Sequence, residues 1–579
     1  MGVPGAGDRR PARPPDRRSA PSRIRARRSR PGDRRPAREL WRGRAVHALP
    51  ALAGLLLGVL ALGPALGPGF VLRYDMVFVP DPPILPQGGG FPRAVPSDTA
   101  VALLSAVPSF LPDQVVQKAI LLGLFVLAAT GAAALVPGER GERTVARLVA
   151  AVFYAWNVYL AQRLLLGQWA LLLGYAGLPW AVRAATGRRA GPMVLALLPA
   201  AVGGFQAMLV SVMTVVPVAG RRAPRVLLIA AVLSLPWLVP ALGSAAVTDP
   251  AGVRAFAPRA DGPLGTLGSL LTLGGVWNSG AVVPGQETWW SALVRLAVTV
   301  TAVAGHALLV RERRQRRRQR PRDQRRGRDE ERRRDQERAR DGERGRDGAW
   351  GWEEGLAVAS AAGLAVGCAG AFLPGAVQAL VGFWPGFGPL RDGQLYLAPF
   401  ALLQAVGLAA VAARLPATIR PGMILVPLLV LPTFALGAFG RLVAVEYPPD
   451  WSRVRQIVDA DPAPGALLTL PWSAYRAFGW NGGRVVLDPA VKSFHRRVVW
   501  NDGLTVGLGD GRTLALGAED PLAREIGPLL AGSGALTGPL AARGVSHVLI
   551  LRANENMFRS RLSGARLLHA GPELLLYRL

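Results

Sequence analysis

V-H-A-L-P-A-L-A-G-L-L-L-G-V-L-A-L-G-P-A-L-G-P-G-F, Val46–Phe70, runs for 25 residues without an Asp, Glu, Lys or Arg. A bilayer core of about 30 Å is crossed by roughly 20 helical residues, so this segment is long enough to span a membrane. It follows 45 residues, far more than an ordinary signal-peptide n-region, and reads as an uncleaved signal anchor. Comparable apolar stretches recur at Val115–Val136, Val226–Gly243, Trp289–Val310, Gly355–Leu373, Leu395–Ala413 and Met423–Val445. Across all 579 residues half the side chains are hydrophobic, and the mean hydropathy is +0.26. The chain therefore reads as mainly α: a polytopic transmembrane bundle of about 10–12 membrane helices, some short or re-entrant.

The net charge of +30 would point to nucleic acid if it were spread over a soluble fold. It is concentrated instead. Residues 1–45 hold 15 Arg against 4 acids and residues 311–347 hold 18 Arg against 10, so +11 and +8 sit in two segments. Both lack the apolar side chains needed to offset chain entropy. No nucleic-acid partner is expected; anionic lipid head groups are. Lys118 and Lys492 are the only lysines, and Cys368 the only cysteine, which excludes an intrachain disulfide and a cysteine-based metal site. The five histidines, His47, His306, His495, His547 and His569, lie at no metal-ligand spacing, and no P-loop or nucleophile elbow occurs; Gly88–Gly90 reads as a loop.

Arginine clusters at residues 1–45, Arg140–Arg147, Arg183–Arg189, Arg221–Arg225, Arg311–Arg346 and Arg414–Arg420 flank the apolar spans and are expected on the cytoplasmic side. Leu72–Asp113, the turn at Gln162–Gln168, Ser244–Thr288, Pro374–Gly393 and everything after Glu446 then face the opposite side. Between Arg189 and Arg221 lies one apolar block of under thirty residues whose two ends both read as cytoplasmic. An even number of crossings is required, and a hairpin of short helices breaking at Gly203 and Gly204 supplies it.

After Pro448 the pattern changes to short apolar runs bounded by Gly, Pro and Asp, which reads as a mixed α/β domain. Expected strands are Ala466–Leu470, Arg484–Leu487, Ser546–Leu551 and Leu574–Tyr577; expected helices are Trp451–Asp459, Pro521–Ala531, Gly538–Arg543 and Asn554–Leu562. The organisation is a disordered basic cytoplasmic tail (1–45), a first membrane bundle with extracytoplasmic loops (46–310), a disordered arginine-rich cytoplasmic loop (311–348), further membrane helices (349–446) and an extracytoplasmic α/β domain (447–579).

R-Y-D-M-V-F-V-P-D, Arg73–Asp81, places two carboxylates directly after the first span. Asp75 there suits a general base for a hydroxyl, or a ligand to a divalent cation, since both uses need a fixed, partly dehydrated oxygen. The plainer reading has Asp75 end the helix and pair with Arg73. In N-V-Y-L-A-Q-R-L-L-L-G-Q-W, Asn157–Trp169, Arg163 has the fork geometry to bind a phosphate, with Gln162 and Gln168 beside it, or it snorkels to head groups. Trp277–Trp290 contains Asn278, Gln286, Glu287 and the pair Trp289–Trp290, suited to sugar stacking or to an aromatic belt. In P-G-F-G-P-L-R-D-G-Q, Pro385–Gln394, Arg391 and Asp392 either clamp a lipid-linked phosphate or form a helix cap and a surface pair.

The run Asn157–Ala176, the early Y-D-M-V, the R-D-G-Q before a late helix and the trailing α/β domain together resemble actinobacterial polytopic proteins related to the GT-C glycosyltransferase superfamily. The resemblance covers most of Val46–Leu579. It implies a polyprenyl-phosphate sugar donor, a cell-envelope glycan acceptor, an active site on the extracytoplasmic face and a single inverting displacement. The base it implies is an acid of the first extracytoplasmic loop, which matches Asp75, with Asp81 second; where the family's loop often carries adjacent acids, these two are six apart. Arg163 and Arg391 then stabilise the leaving phosphate, and Gln168, Glu287, Trp289 and Asp392 contact acceptor or sugar. The rival readings are a membrane transporter or flippase, for which inverted repeats and midplane charges are expected, and a noncatalytic envelope scaffold.

Overall fold

The structure is a computed structural model that describes residues 35–84, 96–106, 111–136, 143–243, 248–331, 351–507 and 512–579. The first 34 residues of the basic tail, the glycine loop Gly88–Gly90 and residues 332–350 of the arginine-rich segment lie outside the described residues. The chain divides into two compact units, Met1–Ala45 and Val46–Leu579, and the second holds the membrane helices and the α/β region.

Among the described residues, seven helical stretches are long and apolar enough to cross a membrane: Ala48–Leu66, Asp113–Leu135, Thr144–Leu165, Phe205–Leu242, Trp289–Arg316, Trp352–Phe372 and Gly393–Arg414. Ala190–Gly203 and Pro374–Phe383 are shorter apolar helices. In chain order the body consists of α1 (Arg35–Leu62), α2 (Pro96–Ala106), α3 (Asp113–Leu135), α4 (Thr144–Ala155), α5 (Val158–Leu165), α6 (Trp169–Ala185), α7 (Ala190–Gly203), α8 (Phe205–Ala219), α9 (Ala223–Leu242), α10 (Gly252–Ala255), α11 (Gly265–Leu271), α12 (Trp289–Glu331), α13 (Trp352–Phe372), α14 (Pro374–Phe383) and α15 (Ala398–Arg414). The expected break falls between α7 and α8 at Gly204, whose φ of +86° is a conformation other residues rarely adopt. The 38-residue stretch Phe205–Leu242 is two helices, α8 and α9, meeting at the turn Gly220–Arg222. α12 carries helical backbone into the arginine-rich segment as far as Glu331.

α15 is the innermost helix, buried along most of its length and packed by α4, α12 and α13. α9 lies at the periphery, leaving Leu228, Val232, Leu235 and Val239 exposed as a face fit for lipid. The stretch Met423–Val445, expected as a span, is broken into Arg420–Ile424, α16 (Val426–Val430), Pro432–Phe434 and α17 (Ala435–Gly440). Pro421, Pro427 and Pro432 each remove a backbone donor and crowd the preceding turn. Irregular backbone at membrane depth persists where protein covers it; here Leu431 is buried and its carbonyl accepts from Trp156 Nε1 at 3.0 Å.

Strand β1 (Phe70–Val71) pairs antiparallel with β2 (Ala444–Val445), tying the first loop to the end of the membrane body. The α/β region comprises α18 (Pro449–Ala460), β3 (Ala466–Leu470), β4 (Tyr475–Ala477), β5 (Val485–Leu487), α19 (Ala490–Ser493), β6 (Val498–Val499), β7 (Leu504–Gly507), β8 (Thr513–Leu516), α20 (Pro521–Ala531), α21 (Thr537–Ala541), β9 (Val545–Leu551), α22 (Glu555–Phe558), β10 (Arg566–Ala570) and β11 (Leu574–Arg578). Five strands form one sheet in the order β10-β11-β9-β3-β6, with β3 parallel to β6 and β9 and β11 antiparallel to both neighbours. Strand side chains alternate faces, and the two faces serve different cores. Leu467, Leu549 and Leu576 pack with Trp451, Val454 and Val458 of α18 in the core continuous with the membrane body. Leu468, Val548, Ile550 and Leu575 pack with Ile526, Leu530, Leu540 and Phe558 of α20, α21 and α22. α20 starts where the sequence signals it: Asp520 accepts from Leu522 N at 2.9 Å, and Pro521 occupies the first turn.

Candidate functional site

The first loop is pinned on two sides. Tyr74 N donates to Val485 O at 2.7 Å and Leu487 N to Tyr74 O at 2.9 Å, so the loop adds to the β4–β5 hairpin. On the other side Asp75 N donates to Leu166 O at 3.1 Å. The α5–α6 turn fits there because Gly167 has φ +78° and a Cβ on it would lie 2.1 Å from Met76 N. Arg73 does not pair with Asp75. Its guanidinium donates to the carbonyls of Leu165 at 3.0 Å and Gly280 at 2.6 Å.

Asp75 sits well beyond the end of α1, and its carboxylate is held by side chains from two other elements. Tyr475 of β4 donates its phenol to Oδ1 at 2.5 Å, and Gln168 Nε2 reaches Oδ2 at 3.4 Å. Behind Gln168 lies a buried relay: Arg163 Nη1 donates to Gln168 Oε1 at 2.7 Å, and Arg163 is held bidentately by Asp392 at 2.6 and 2.8 Å. Burial raises the Asp75 carboxyl above the ordinary carboxylate value; the two hydrogen bonds and the charges of Lys492 and Arg163 oppose that rise.

Asp75 lines a cavity of about 940 Å³ between the membrane body and the α/β region. One part of the wall is apolar: Val101 and Leu103 of α2, Leu171 of α6, and Pro236 and Pro240 of α9. Another part is polar and includes Gln168, Arg391, Tyr475, Lys492 and Arg497. Arg391 lies over the Phe256 ring, 5.0 Å from its centroid, and meets Glu519 at 3.3 Å. Lys492 Nζ donates to Asp98 Oδ1 at 2.7 Å, linking α19 to α2.

Of the residues singled out in the sequence, Asp75, Gln168 and Arg391 line this cavity, and Trp169, next to Gln168, joins them. Arg163 and Asp392 are buried against each other behind it. Asp81 is exposed and paired with Arg455. Glu287 is exposed, as are Trp289 (63%) and Trp290 (54%) at the start of α12, which is the placement of an aromatic belt. Gln162 bonds Asp261 at 2.7 Å and accepts from Gln394 at 3.1 Å inside the bundle. Lys492 was findable in the sequence as one of two lysines in an arginine-dominated chain. Tyr475 carried no local signal, because its role arises from pairing across 400 residues. Among the described residues no three His, Cys, Asp or Glu side chains gather as metal ligands, and both Asp75 oxygens already meet donors.

No protein-family model matches the chain, and no curated protein matches it by sequence. Two solved structures share its fold: the arabinofuranosyltransferase AftD from mycobacteria, at 14% identity and TM-score 0.51, and a mutant of the same enzyme, at 16% and 0.51. Each likeness covers 92% of this chain. The chain spans about two fifths of the length of those structures, 40% and 41%. At such identity the likeness concerns the fold alone: a bundle of helices long and apolar enough to cross a membrane, followed by small sheets near the C-terminus.

Proposed function

We propose that this protein is an integral membrane glycosyltransferase that moves a sugar from a polyprenyl-phosphate donor to a cell-envelope glycan acceptor on the extracytoplasmic face. The observation that carries this reading is the composition of one cavity. A carboxylate with raised pKa, Asp75, shares this cavity with an apolar wall built partly by peripheral α9 and a wall bearing Arg391 and Lys492. An isoprenoid tail suits the first wall and a phosphate the second. The sugar then lies near Asp75.

The reaction is a displacement at the anomeric carbon. The acceptor oxygen bonds to that carbon, the bond to the phosphate oxygen breaks, and its electron pair leaves with the polyprenyl phosphate. Asp75 takes the acceptor's proton, and Arg391 with Lys492 offsets the charge left on the phosphate. The donor-binding role expected for Arg163 passes in this reading to Lys492, since Arg163 is neutralised by Asp392 out of contact with the cavity. No step requires a divalent cation. A transporter would keep charges open to a translocation path, and the Arg163–Asp392 pair is closed.

In a purified full-length preparation, Asp75→Asn is expected to reduce transfer roughly 10²- to 10⁴-fold while equilibrium binding of a labelled polyprenyl-phosphate sugar persists. Arg391→Ala weakens that binding instead. Full turnover by Asp75→Asn removes it as the base, and no donor binding by the unmodified protein removes the reading. The sidedness is tested separately: a reporter fused after Leu579 is active only outside the cytoplasm and one inserted near Gly327 only inside.

A further inference from the structure

We propose that Tyr475 is a positioning residue that selects which oxygen of Asp75 accepts the proton: its phenol occupies Oδ1 and leaves Oδ2 to face the acceptor hydroxyl. The inference rests on Asp75 being the base. Asp75 belongs to a short turn, Arg73–Met76, with no helix or long strand to orient its side chain. Orientation must come from its partners, and they are unequal. At 2.5 Å the Tyr475 bond is short and charge-assisted; at 3.4 Å the Gln168 contact is at the limit of a hydrogen bond. Oδ2 is therefore the oxygen that an incoming hydroxyl can win.

Tyr475 is itself held firmly. β4 pairs with β5, and β5 pairs with the backbone of Tyr74, so one hairpin grips the turn at its main chain and at its carboxylate. Arg476, next along β4, forms a buried ion pair with Asp488 at 2.9 Å and donates to Pro471 O at 3.0 Å. Gln168 is fixed from behind by Arg163. The phenol remains protonated, because burial and the Asp75 charge both raise its pKa well above the ordinary tyrosine value. It can donate and cannot replace Asp75 as the base. The α/β region, on this view, contributes one of the two side chains that hold the base's carboxylate and is needed for the chemical step.

A purely structural tyrosine would pack against Tyr74, whose ring lies 6.5 Å away at 67°, without affecting how Asp75 titrates. The charged groups around Asp75 are Lys492 of α19 and Arg163 of α5, and both stay in place when Tyr475 or Tyr74 becomes Phe. The Tyr475 bond favours the ionised carboxylate, so its removal raises the Asp75 pKa. The test is an infrared difference titration of the carboxyl band in full-length protein in nanodiscs, with Asp75→Asn as the blank. Tyr475→Phe is expected to shift the titration to higher pH, while Tyr74→Phe leaves it unmoved. Where transfer is measurable, the acid limb of kcat/KM shifts the same way and kcat falls about tenfold to a hundredfold with misorientation. An unmoved titration in Tyr475→Phe overturns the proposal. Should that variant fail to fold, ultraviolet titration of the tyrosines reads the bond from its other end: Asp75→Asn must lower one tyrosine pKa, and no change there overturns the proposal equally. Neither titration needs substrate, so both stand apart from the test of donor binding.

Discussion

The cavity's membrane wall and its C-terminal wall are built by different rules. The membrane wall is made of helices whose positions follow from apolar length, and behind it buried charges are closed off in pairs such as Arg163–Asp392. The C-terminal wall is made of short strands and turns, and where the two walls meet, half-buried ions face the cavity: Lys492 of α19 meets Asp98 at 2.7 Å, and Arg391 of a membrane-body loop meets Glu519 at 3.3 Å. Arg391 and Asp392 show the boundary at single-residue scale. One faces the cavity, and its neighbour turns back into the bundle. A guanidinium buried in a low-dielectric interior is tolerable only if paired, whereas one at a half-solvated wall can exchange its partner for a ligand.

The largest effect that tests this contrast is on stability. Arg163→Ala strands the buried Asp392 carboxylate and is expected to cost about 3–5 kcal/mol. Arg391→Ala, at the cavity wall, is expected to cost roughly 0–1 kcal/mol. Thermal unfolding of the two variants in the same detergent checks both. Equal losses would dissolve the distinction between walls, and a stable Arg163→Ala that no longer binds donor would return Arg163 to phosphate recognition.

A smaller effect sharpens the contrast where the walls meet. Gly167 has φ +78°, and an added Cβ would lie 2.1 Å from Met76 N and 2.4 Å from Arg73 O. Gly167→Ala therefore strains its own backbone, at about 1–3 kcal/mol, and pushes the turn carrying Asp75 off the α5–α6 turn. Transfer should fall further than stability does, because the base is displaced from Tyr475 and Gln168 together. A variant that loses stability but keeps its kcat would show that the Asp75 turn is positioned by the β4–β5 hairpin alone.

The membrane body was legible because length and charge decide it: the α7–α8 break follows from two flanking arginine clusters and one short apolar block. The Met423–Val445 segment misled for a physical reason, since apolar content says nothing of the two prolines within it, Pro427 and Pro432, that prevent one continuous helix. In the α/β region, β3 and α20 match their expected bounds, while β4, β6, β7, β8 and β10 went unread. β4 and β6 are only three and two residues long, and their conformation is set by partners distant in the chain. Asp75, Gln168 and Arg391 were readable as polar residues beside spans. Tyr475 and the pairing of Arg163 with Asp392 were not, because sequence proximity to a span does not reveal which way a side chain turns.

Asp81 gives the smallest expected effect and the cleanest check on that lesson. By sequence it is the second candidate after Asp75: an acid in the same loop, six residues on. In the structure its side chain is 83% exposed and pairs with Arg455. Arg455 also donates to the carbonyls of Pro80 at 2.8 Å and Asp81 at 2.6 Å, bonds that need no carboxylate. Asp113 Oδ2 accepts from Asp81 N at 2.6 Å, which further fixes the backbone without using the Asp81 side chain. Asp81→Asn therefore removes one exposed ion pair, worth at most about 0.5 kcal/mol in such a setting. It should leave donor binding and kcat unchanged, since an acid in solvent beside an arginine lacks the contact with the cavity that a base requires. Measured beside Asp75→Asn in one preparation, it separates the two carboxylates directly: loss of transfer in Asp81→Asn with turnover retained in Asp75→Asn would move the chemistry out of the cavity and onto the exposed rim of the loop.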